Sequence, residues 1–332
     1  MDYSRFGNTG MEASRLSLGA MTFGGKLDRA ECARVVDEAL DNGINLIDTA
    51  DSYGDSEEIL GELLAPEKRE HVFLATKVYR RFCRDGRVAR NSCTNILNSL
   101  DRSLRLLKTD YVDLYQLHHP DPDTPIDETL ATLDTIVRQG KARYVGVANH
   151  YAWQMAHMLG EAKGRGYVPI VSYQASYSIL DRQLEFDAVE FVRKFNMALM
   201  CYSPLSSGIL TGKYHTGKGI PEGSRATAMR YVERYLENET VNTIMEGLKT
   251  IAAEQGLQLN QLAILWLLAK SHVTTVILGG SRPEHFSQIY EIIGQALPED
   301  VVEKIDTLSE SRIYSPYINQ NQRTAPAINP GA

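Results

Sequence analysis

The sequence has few of the features that mark secreted or membrane-spanning proteins. Only four of its 332 residues are cysteines, and no two of them have the CxxC spacing of a zinc site or a redox motif. We therefore expect reduced thiols in a cytosolic protein and no disulfide framework. The start, MDYSRFGNTG, has no apolar core after a basic segment, and no apolar run approaches the roughly 18 residues of a membrane span. These features predict a soluble, cytoplasmic protein that does not bind membranes.

Basic residues are also fewer than acidic ones. The chain has 35 basic and 42 acidic residues, a formal net charge of −7. Such a chain has no overall attraction for phosphate backbones, so nucleic acid is not an expected partner. Its 43% hydrophobic and 23% charged residues are typical of a packed globular protein and exclude a disordered or fibrous one.

The chain alternates between short apolar runs and segments of helical periodicity. Several runs are apolar almost throughout, as is typical of parallel strands covered on both faces. The predicted strands are Leu16–Gly19, Ile44–Thr49, Val72–Val78, Val112–His118, Tyr144–Asn149, Ile170–Gln174, Ala198–Ser203 and Thr275–Leu278. The first predicted helix is capped by Asp28 and ends at Asn42-Gly43. Further helices are predicted at Asn91–Leu107, from Pro125 to Gln139-Gly140, and at Tyr151–Lys163, Gln183–Phe195, Thr240–Gln255, Asn260–Ala269 and Pro283–Gly294.

Eight strand–helix units without a linker predict an α/β fold, a single (β/α)8 TIM barrel that occupies residues 1–332 as one domain. Its core is expected at about residues 16–295. A doubly wound sheet uses the same units, but no strand here is followed by GxGxxG. The segment Asp2–Ser14 is expected to form an N-terminal hairpin that closes the bottom of the barrel. An extra C-terminal helix and a polar tail at about 311–332 are expected to end the chain.

Active sites of such barrels lie at the C-terminal ends of the strands. Four polar residues fall there on three neighbouring strands: Asp48, Tyr53, Lys77 and His118. Most have ordinary structural explanations: the aspartate can cap a turn, the tyrosine can pack, and the histidine can be a satisfied core residue. Lys77 is different, because a lysine inside a barrel strand costs several kcal/mol unless its charge is paired. Asp48 is the expected partner, in an ion pair that is either structural or functional.

Tyr53 favours the functional alternative. A phenol has a pKa of about 10 and exchanges protons poorly at neutral pH unless a nearby cation lowers that value. The ammonium of Lys77 is such a cation, and His118 can orient a carbonyl oxygen. The four residues suit proton delivery to an oxygen that gains negative charge, as when hydride adds to a carbonyl.

Several segments resemble the signature segments of the aldo-keto reductases, in that family's order, from about residue 16 to residue 290. They are DTADSYG, ATK, DLYQLHHPD, GVAN, YQASYSILDR, YSPLSSGILTGKY and GGSRPEH. The resemblance implies a catalytic tetrad in which Tyr53 is the general acid of reduction and Lys77 lowers its pKa. Asp48 would hold Lys77, and His118 would orient the substrate.

The resemblance also implies that NADPH or NADP+ binds across the barrel mouth without a Rossmann fold. The residues implied to bind it are Ala20, Met21, Asp48, Asn149, Gln174, Tyr202, Ser203, Pro204, Leu205, Ser206, Gly208, Lys213, Arg225, Gly279, Ser281, Arg282 and His285. Asn149 and Gln174 would hold the nicotinamide carboxamide, and Tyr202 would stack on its ring. Ser203 to Ser206, with Lys213 and Arg225, would line the pyrophosphate path.

Ser281 and Arg282 would take the adenosine 2′-phosphate. A guanidinium matches a phosphate in geometry, which favours NADP over NAD. The chain departs from the family pattern at three positions. Ala148 replaces a frequent serine, which removes a hydrogen bond to the carboxamide, and His285 and Ile289 stand where glutamine and asparagine are usual near the adenine.

The sequence thus predicts an NADPH-dependent reductase of aldehydes or ketones, reversible toward alcohol oxidation. The alternative is an NADPH-binding, redox-sensing regulatory subunit with little turnover, like the β subunits of voltage-gated potassium channels. A metal-dependent hydrolase lacks ligands here, and no metal is expected. The expected partner is a small carbonyl compound of a kind that the sequence does not indicate, and self-association into a homo-oligomer stays open.

Overall fold

Eight parallel strands close into a barrel in the computed structural model, which describes residues 1–79, 88–214 and 237–310 and the backbone of residues 81–82. The barrel strands are β3 (Leu16–Gly19), β4 (Leu46–Asp48), β5 (Phe73–Val78), β8 (Val112–Leu117), β9 (Ala142–Ala148), β10 (Ile170–Ser176), β11 (Ala198–Tyr202) and β12 (Thr275–Leu278). They pair in chain order, and β12 pairs with β3 to complete the ring. The predicted barrel and its eight strands are confirmed.

Alternate residues of each strand point into the barrel, where they form a core of their own. On β5, Phe73 and Ala75 lie in this inner cluster with Leu46 and Leu114, while Leu74 belongs to the outer cluster under the helices. The same alternation puts the next odd-numbered residue of β5, Lys77, inside the barrel at the C-terminal end of the strand. The pleat of the strand therefore buries this lysine.

The predicted N-terminal hairpin is present. Strands β1 (Tyr3–Arg5) and β2 (Glu12–Ser14) pair antiparallel, and Phe6 follows the first of them. The Phe6 side chain is 0% exposed, belongs to the inner cluster, and lies with its ring centroid 4.8 Å from that of Phe73. Phe73 begins β5, so the hairpin closes the N-terminal end of the barrel, opposite the end at which the polar residues lie.

Helices cover the outside of the barrel. They are α1 (Arg29–Asp41), α2 (Ser56–Leu63), α3 (Pro66–Arg69), α4 (Cys93–Leu107), α5 (Ile126–Arg138), α6 (Ala152–Arg165), α7 (Ala188–Lys194), α8 (Glu239–Glu254), α9 (Leu259–Ala269), α10 (Glu284–Tyr290) and α11 (Glu299–Leu308). Asp28 caps α1 as predicted, through a reciprocal capping box with Glu31. The expected extra C-terminal helix is α11, and the tail at 311–332 lies outside the described residues.

The predicted helix Pro283–Gly294 is shorter in the structure, where α10 ends at Tyr290 and turns follow. Three further elements differ from the sequence prediction. The short helices α2 and α3 between β4 and β5 were not predicted, because the apolar pattern of an eight-residue helix is brief. The predicted helix Gln183–Phe195 is divided into a 3-10 turn, Gln183–Phe186, and α7, because Asp187 leaves the helical region with φ −145°. The two-stranded hairpin of β6 (Arg81–Phe82) and β7 (Val88–Ala89) in the loop after β5 was also missed. Within the described ranges, no helix combines the length and apolar character needed to cross a membrane.

Candidate active site

Lys77 is the centre of a buried polar cluster at the C-terminal mouth of the barrel. Its side chain is 0% exposed, and its ammonium donates to Asp48 Oδ2 at 2.6 Å and to the carbonyl of Thr49 at 2.8 Å. The same nitrogen lies 3.5 Å from the hydroxyl of Tyr53. Burial alone would lower the pKa of Lys77, but the charges of Asp48 and Tyr53 and the hydrogen bonds to them together outweigh burial, and the pKa is raised above its ordinary value. Lys77 is therefore a permanent cation beside a phenol.

Asp48 is held from its other side by two amide side chains. Its Oδ1 atom accepts from Gln174 Nε2 at 2.9 Å and from Gln116 Nε2 at 3.3 Å. The carboxylate is 3% exposed, so these bonds replace the water that it loses inside the barrel. Sequence reasoning missed Gln116. The signal was available, because Gln116 lies two residues before His118 and shares the inward face of β8 with Leu114.

Tyr53 comes from a tight turn that follows β4. Its backbone N–H donates to the carbonyl of Ala50 at 3.1 Å, which closes a four-residue turn. The ring is half-buried, and Lys77 Nζ lies 4.9 Å from its centroid. The turn therefore places both the hydroxyl and the ring of the tyrosine beside the buried cation.

His118 faces Tyr53 at the end of β8. The two ring centroids are 5.7 Å apart in an edge-to-face arrangement, and His118 also packs against Tyr79 at 5.2 Å and stacks on His119 at 5.0 Å. Burial, and after it the charge of Lys77, lowers the pKa of His118 well below its ordinary value. The imidazole is therefore neutral at neutral pH. Its Nδ1 atom is buried and has no hydrogen-bond partner among the described residues.

Asn149 links the tetrad to the next part of the mouth. It adopts a left-handed backbone with φ 62° directly after β9. Its Nδ2 donates to the carbonyl of His118 at 2.9 Å, and its Oδ1 accepts from the hydroxyl of Tyr202 at 2.6 Å. Its backbone N–H donates to the carbonyl of Gln174 at 3.0 Å. The three residues implied to hold the nicotinamide are thus joined in one network.

The loop after β11 has an unusual backbone. Ser203, Ser206 and Ser207 have φ of 53°, 46° and 57°, and Gly208 has φ 95°. The backbone N–H groups of Ser206 and Gly208 donate within the loop, to the carbonyls of Ser203 and Leu205 at 2.9 Å each. Pro204 is buried and Leu205 half-buried within this loop. Ser206 Oγ is hydrogen-bonded to Ser178 Oγ at 2.7 Å, which ties the loop to the segment after β10.

Two cations and a histidine approach one another beyond that loop. A Cβ added to Gly208 would lie 3.1 Å from Lys213 Nζ, so the absence of a side chain at residue 208 makes room for the ammonium. Burial, and after it the charges of Lys213 and Arg282, lowers the pKa of His285. Ser281 donates its backbone N–H to His285 Nδ1 at 3.3 Å. Lys213 therefore lies near the loop after β12 that carries Arg282.

The remaining predicted residues that the structure describes lie at the same mouth. Ala20 follows β3 and donates its backbone N–H to the carbonyl of Asp48 at 2.9 Å, and Met21 is exposed beside it. Gly279 follows β12 and has no atoms within 4 Å of an added Cβ. Arg225 lies outside the described residues. Ile289 is 2% exposed and part of the core, so its side chain packs under α10 and offers nothing to a ligand.

Comparison with known proteins identifies the family. A family model described as the aldo/keto reductase family matches residues 15–310. The chain belongs to the aldo/keto reductase family. It is 32% identical to a protein named uncharacterized oxidoreductase YrpG from Bacillus subtilis (strain 168) over 321 residues, which cover 93% of this chain and 96% of the relative. It is also 32% identical to a probable voltage-gated potassium channel subunit beta from Oryza sativa subsp. japonica over 326 residues, covering 94% and 98%.

Membership of the aldo/keto reductase family makes the protein an oxidoreductase by class and confirms the resemblance read from the sequence. Two departures from the family pattern now have a structural setting. Ala148 is fully buried at the end of β9, where its carbonyl accepts from His150 Nδ1 at 2.8 Å. His285 Nδ1 accepts a hydrogen bond from the backbone N–H of Ser281, a residue expected to bind the adenosine end of the cofactor.

Proposed function

We propose that the protein is an NADPH-dependent reductase of small aldehydes or ketones, reversible toward alcohol oxidation. The observation that carries the proposal is the buried Lys77, which contacts Asp48 at 2.6 Å and Tyr53 at 3.5 Å. A purely structural ion pair needs no phenol. A cation beside a tyrosine hydroxyl stabilises its phenolate form, which allows the phenol to give up a proton at neutral pH.

The residues present fit the nicotinamide end of such a cofactor. Gln174 uses its amide nitrogen on Asp48, so its Oε1 atom remains as the acceptor that a carboxamide NH2 requires. Asn149 is fixed by His118 and Tyr202 in a backbone conformation that few residues adopt. The half-buried ring of Tyr202 supplies a surface for stacking.

The residues also fit the phosphates. Gly208 leaves space beside the loop after β11, and the ammonium of Lys213 lies next to that space, where it would pair with a phosphate. Arg282 supplies a fork of N–H groups that matches a 2′-phosphate, which favours NADPH over NADH. Ser203, Pro204 and Leu205 would line the path between the two ends, with Ala20, Met21 and Gly279 on the opposite rim.

When bound, the cofactor would supply the hydride. Tyr53 would donate its proton to the carbonyl oxygen as negative charge develops there, and would take a proton from the alcohol in the reverse direction. Lys77 stabilises the phenolate that remains, and Asp48 keeps Lys77 in place. The neutral His118 donates a hydrogen bond from one ring nitrogen to the same oxygen and so orients the substrate.

The test is NADPH consumption against a panel of small aldehydes, sugars, keto-steroids and quinones, with NADH in parallel. We expect turnover with NADPH for at least one class. Tyr53→Phe should abolish turnover and leave NADPH binding, followed by fluorescence, nearly unchanged, because the variant lacks only the proton donor. Substantial turnover by Tyr53→Phe would contradict the assigned role.

The potassium channel subunit beta among the relatives favours a second candidate, an NADPH-binding redox sensor with little turnover. The two candidates share the cofactor site and differ in rates. A sensor would retain NADPH through gel filtration and oxidise it negligibly with every carbonyl tested. A reductase would exchange the cofactor in each cycle.

We further propose that the chain acts as one cytoplasmic barrel domain that can form homo-oligomers. The three described cysteines, Cys32, Cys93 and Cys201, are free thiols, as expected in a reducing compartment. The barrel strands and the helices around them share a continuous outer core that runs from Leu16 to Ile305, which supports a single folding unit. Light scattering on the purified protein would measure its oligomeric state.

A further inference from the structure

Asp51 occupies the second position of the turn that carries Tyr53. Two contacts join it to the end of β5. Its backbone N–H donates to the carbonyl of Lys77 at 3.1 Å, and its carboxylate accepts from the backbone N–H of Tyr79 at 3.0 Å (Oδ1) and 3.2 Å (Oδ2). The turn is therefore fixed on both sides of Val78.

The same stretch of β5 is joined to His118. The carbonyl of Val78 accepts from the backbone N–H of His118 at 3.0 Å, and the ring of Tyr79 packs against the His118 ring. The carbonyl of Tyr79 accepts in turn from the buried Asn95 of α4 at 3.1 Å. One carboxylate thus lies where the supports of Tyr53, Lys77 and His118 meet.

We propose that Asp51 is a positioning residue for the reaction, which holds the Tyr53 turn in register with the end of β5 and with His118. This inference rests on the proposed function. Asp51 does not touch the reacting atoms; it acts through the turn. Without the carboxylate, two of the hydrogen bonds described above still hold the turn: Tyr53 N–H to the Ala50 carbonyl and Asp51 N–H to the Lys77 carbonyl. Loss of the bonds to Tyr79 should therefore let the Tyr53 hydroxyl move relative to Lys77 Nζ.

Stability does not explain a carboxylate at this position. Burial, and after it the neighbouring charge of Glu57, raises the pKa of Asp51 to about 6, while the hydrogen bond from Tyr79 lowers it. Ionisation of Asp51 is therefore less favourable in the folded protein than in the unfolded chain, and at neutral pH this difference lowers the stability of the fold. The geometry of the turn accounts for an acceptor at residue 51.

Two substitutions separate the hydrogen bond from the charge. Asp51→Ala removes the acceptor for Tyr79, and Asp51→Asn keeps one through its Oδ1 atom. We expect Asp51→Ala to lower kcat roughly 10- to 100-fold, as is typical when a reacting group is misplaced by about 1 Å, with NADPH affinity unchanged. Asp51→Asn should restore most of kcat.

Asp113→Ala is the matched control. Asp113 also accepts a backbone N–H of β5, from Leu74 at 2.9 Å, but at the opposite end of the strand, and it pairs with Arg69 at 2.9 Å. Its loss should lower stability and leave kcat near that of the wild type. The proposal is overturned if Asp51→Ala keeps wild-type kcat, if Asp51→Asn loses as much kcat as Asp51→Ala, or if Asp113→Ala loses as much kcat as Asp51→Ala.

Amide hydrogen exchange keeps this inference separate from the proposed function. In Asp51→Ala, peptides that cover residues 49–56 and 78–79 should exchange faster than in the wild type, while in Asp113→Ala they should not. A wild-type protein that reduces no carbonyl would contradict the proposed function, and the exchange data would still decide whether Asp51 anchors the turn. Unchanged exchange in Asp51→Ala would overturn the inference.

Discussion

At the scale of single residues, the barrel interior holds opposite charges that stabilise each other only as a pair. Lys77 and Asp48 are both almost fully buried and 2.6 Å apart. Removing one partner leaves an uncompensated charge in a poorly solvated site, which costs more than the pair contributes. The amides of Gln116 and Gln174 satisfy the remaining lone pairs of the carboxylate but supply no positive charge.

This balance predicts a double-variant result. Lys77→Met should lower the free energy of unfolding by about 3–5 kcal/mol at pH 7, because Asp48 stays buried without its cation. Lys77→Met combined with Asp48→Asn should recover part of the loss, since the neutral amide no longer needs a cation. Urea denaturation of the wild type, the single variant and the double variant measures both the loss and the recovery of the free energy of unfolding. A double variant no more stable than the single one would show that Asp48 is not the source of the loss.

Asp51 gives a pH-dependent prediction at the same scale. Its pKa is about 6 in the folded protein against 3.8 for an ordinary aspartate. The free energy of unfolding should therefore fall as the pH rises from about 4 through 6. The groups that face it are Glu57 of α2, Ser99 and Arg102 of α4, and the Tyr79 backbone, and Tyr115 of β8 senses its charge. Ionisation of Asp51 at the higher pH should lower the free energy of unfolding by at most about 3 kcal/mol.

Asp51→Asn should therefore be more stable than the wild type at pH 8, by an amount that shrinks as the pH falls from 6 and vanishes near 4. The measurement is urea denaturation of both proteins at several pH values. Asp113→Asn, which removes a half-buried acidic group at the other end of β5, serves as the comparison. A constant difference between Asp51→Asn and the wild type across the pH range would contradict the prediction.

At the scale of elements, the strands were predictable and the small helices were not. The strand FLATKV is buried at every position, and its mostly apolar residues predict such a strand from the sequence. Helix α2 is short and its position depends on contact with α4. The polar residues at strand ends followed from the barrel, but Gln116 required the alternation of inward and outward residues, and the left-handed backbone at Ser203 and Ser206 depends on tertiary contacts that no local pattern records.

The contact between α2 and α4 depends on one glycine. A Cβ added to Gly61 of α2 would lie 2.1 Å from the carbonyl oxygen of Leu106 and 2.8 Å from the Leu107 backbone, so the two helices would have to move apart. Gly61→Ala should lower the free energy of unfolding by about 1–3 kcal/mol, as overpacking of a core does. Gly160→Ala in α6, where an added Cβ meets nothing within 4 Å, should be neutral or stabilising by up to about 1 kcal/mol. Thermal denaturation compares the two, and equal effects would contradict the role of close packing at Gly61.

At the scale of the whole molecule, the barrel separates its two ends. The N-terminal end is closed by the hairpin β1–β2 and filled by Phe6, Phe73, Leu46 and Leu114. The C-terminal end carries the polar cluster and the loops expected to bind cofactor and substrate. In barrels of this kind, residues at the closed end serve stability and those at the open end serve chemistry.

Phe6 allows that division to be tested. Phe6→Ala removes a fully buried ring that packs 4.8 Å from Phe73, and we expect it to lower the free energy of unfolding by about 3–5 kcal/mol. Because the polar cluster is held by contacts at the opposite end of the same strands, kcat and KM for NADPH should stay near the wild-type values at temperatures where the variant remains folded. Denaturation and steady-state kinetics on one preparation measure both quantities. A fall in kcat without a fall in stability would mean that the hairpin end of the barrel affects the reaction, and that packing inside the barrel transmits strain along β5 from Phe73 to Lys77.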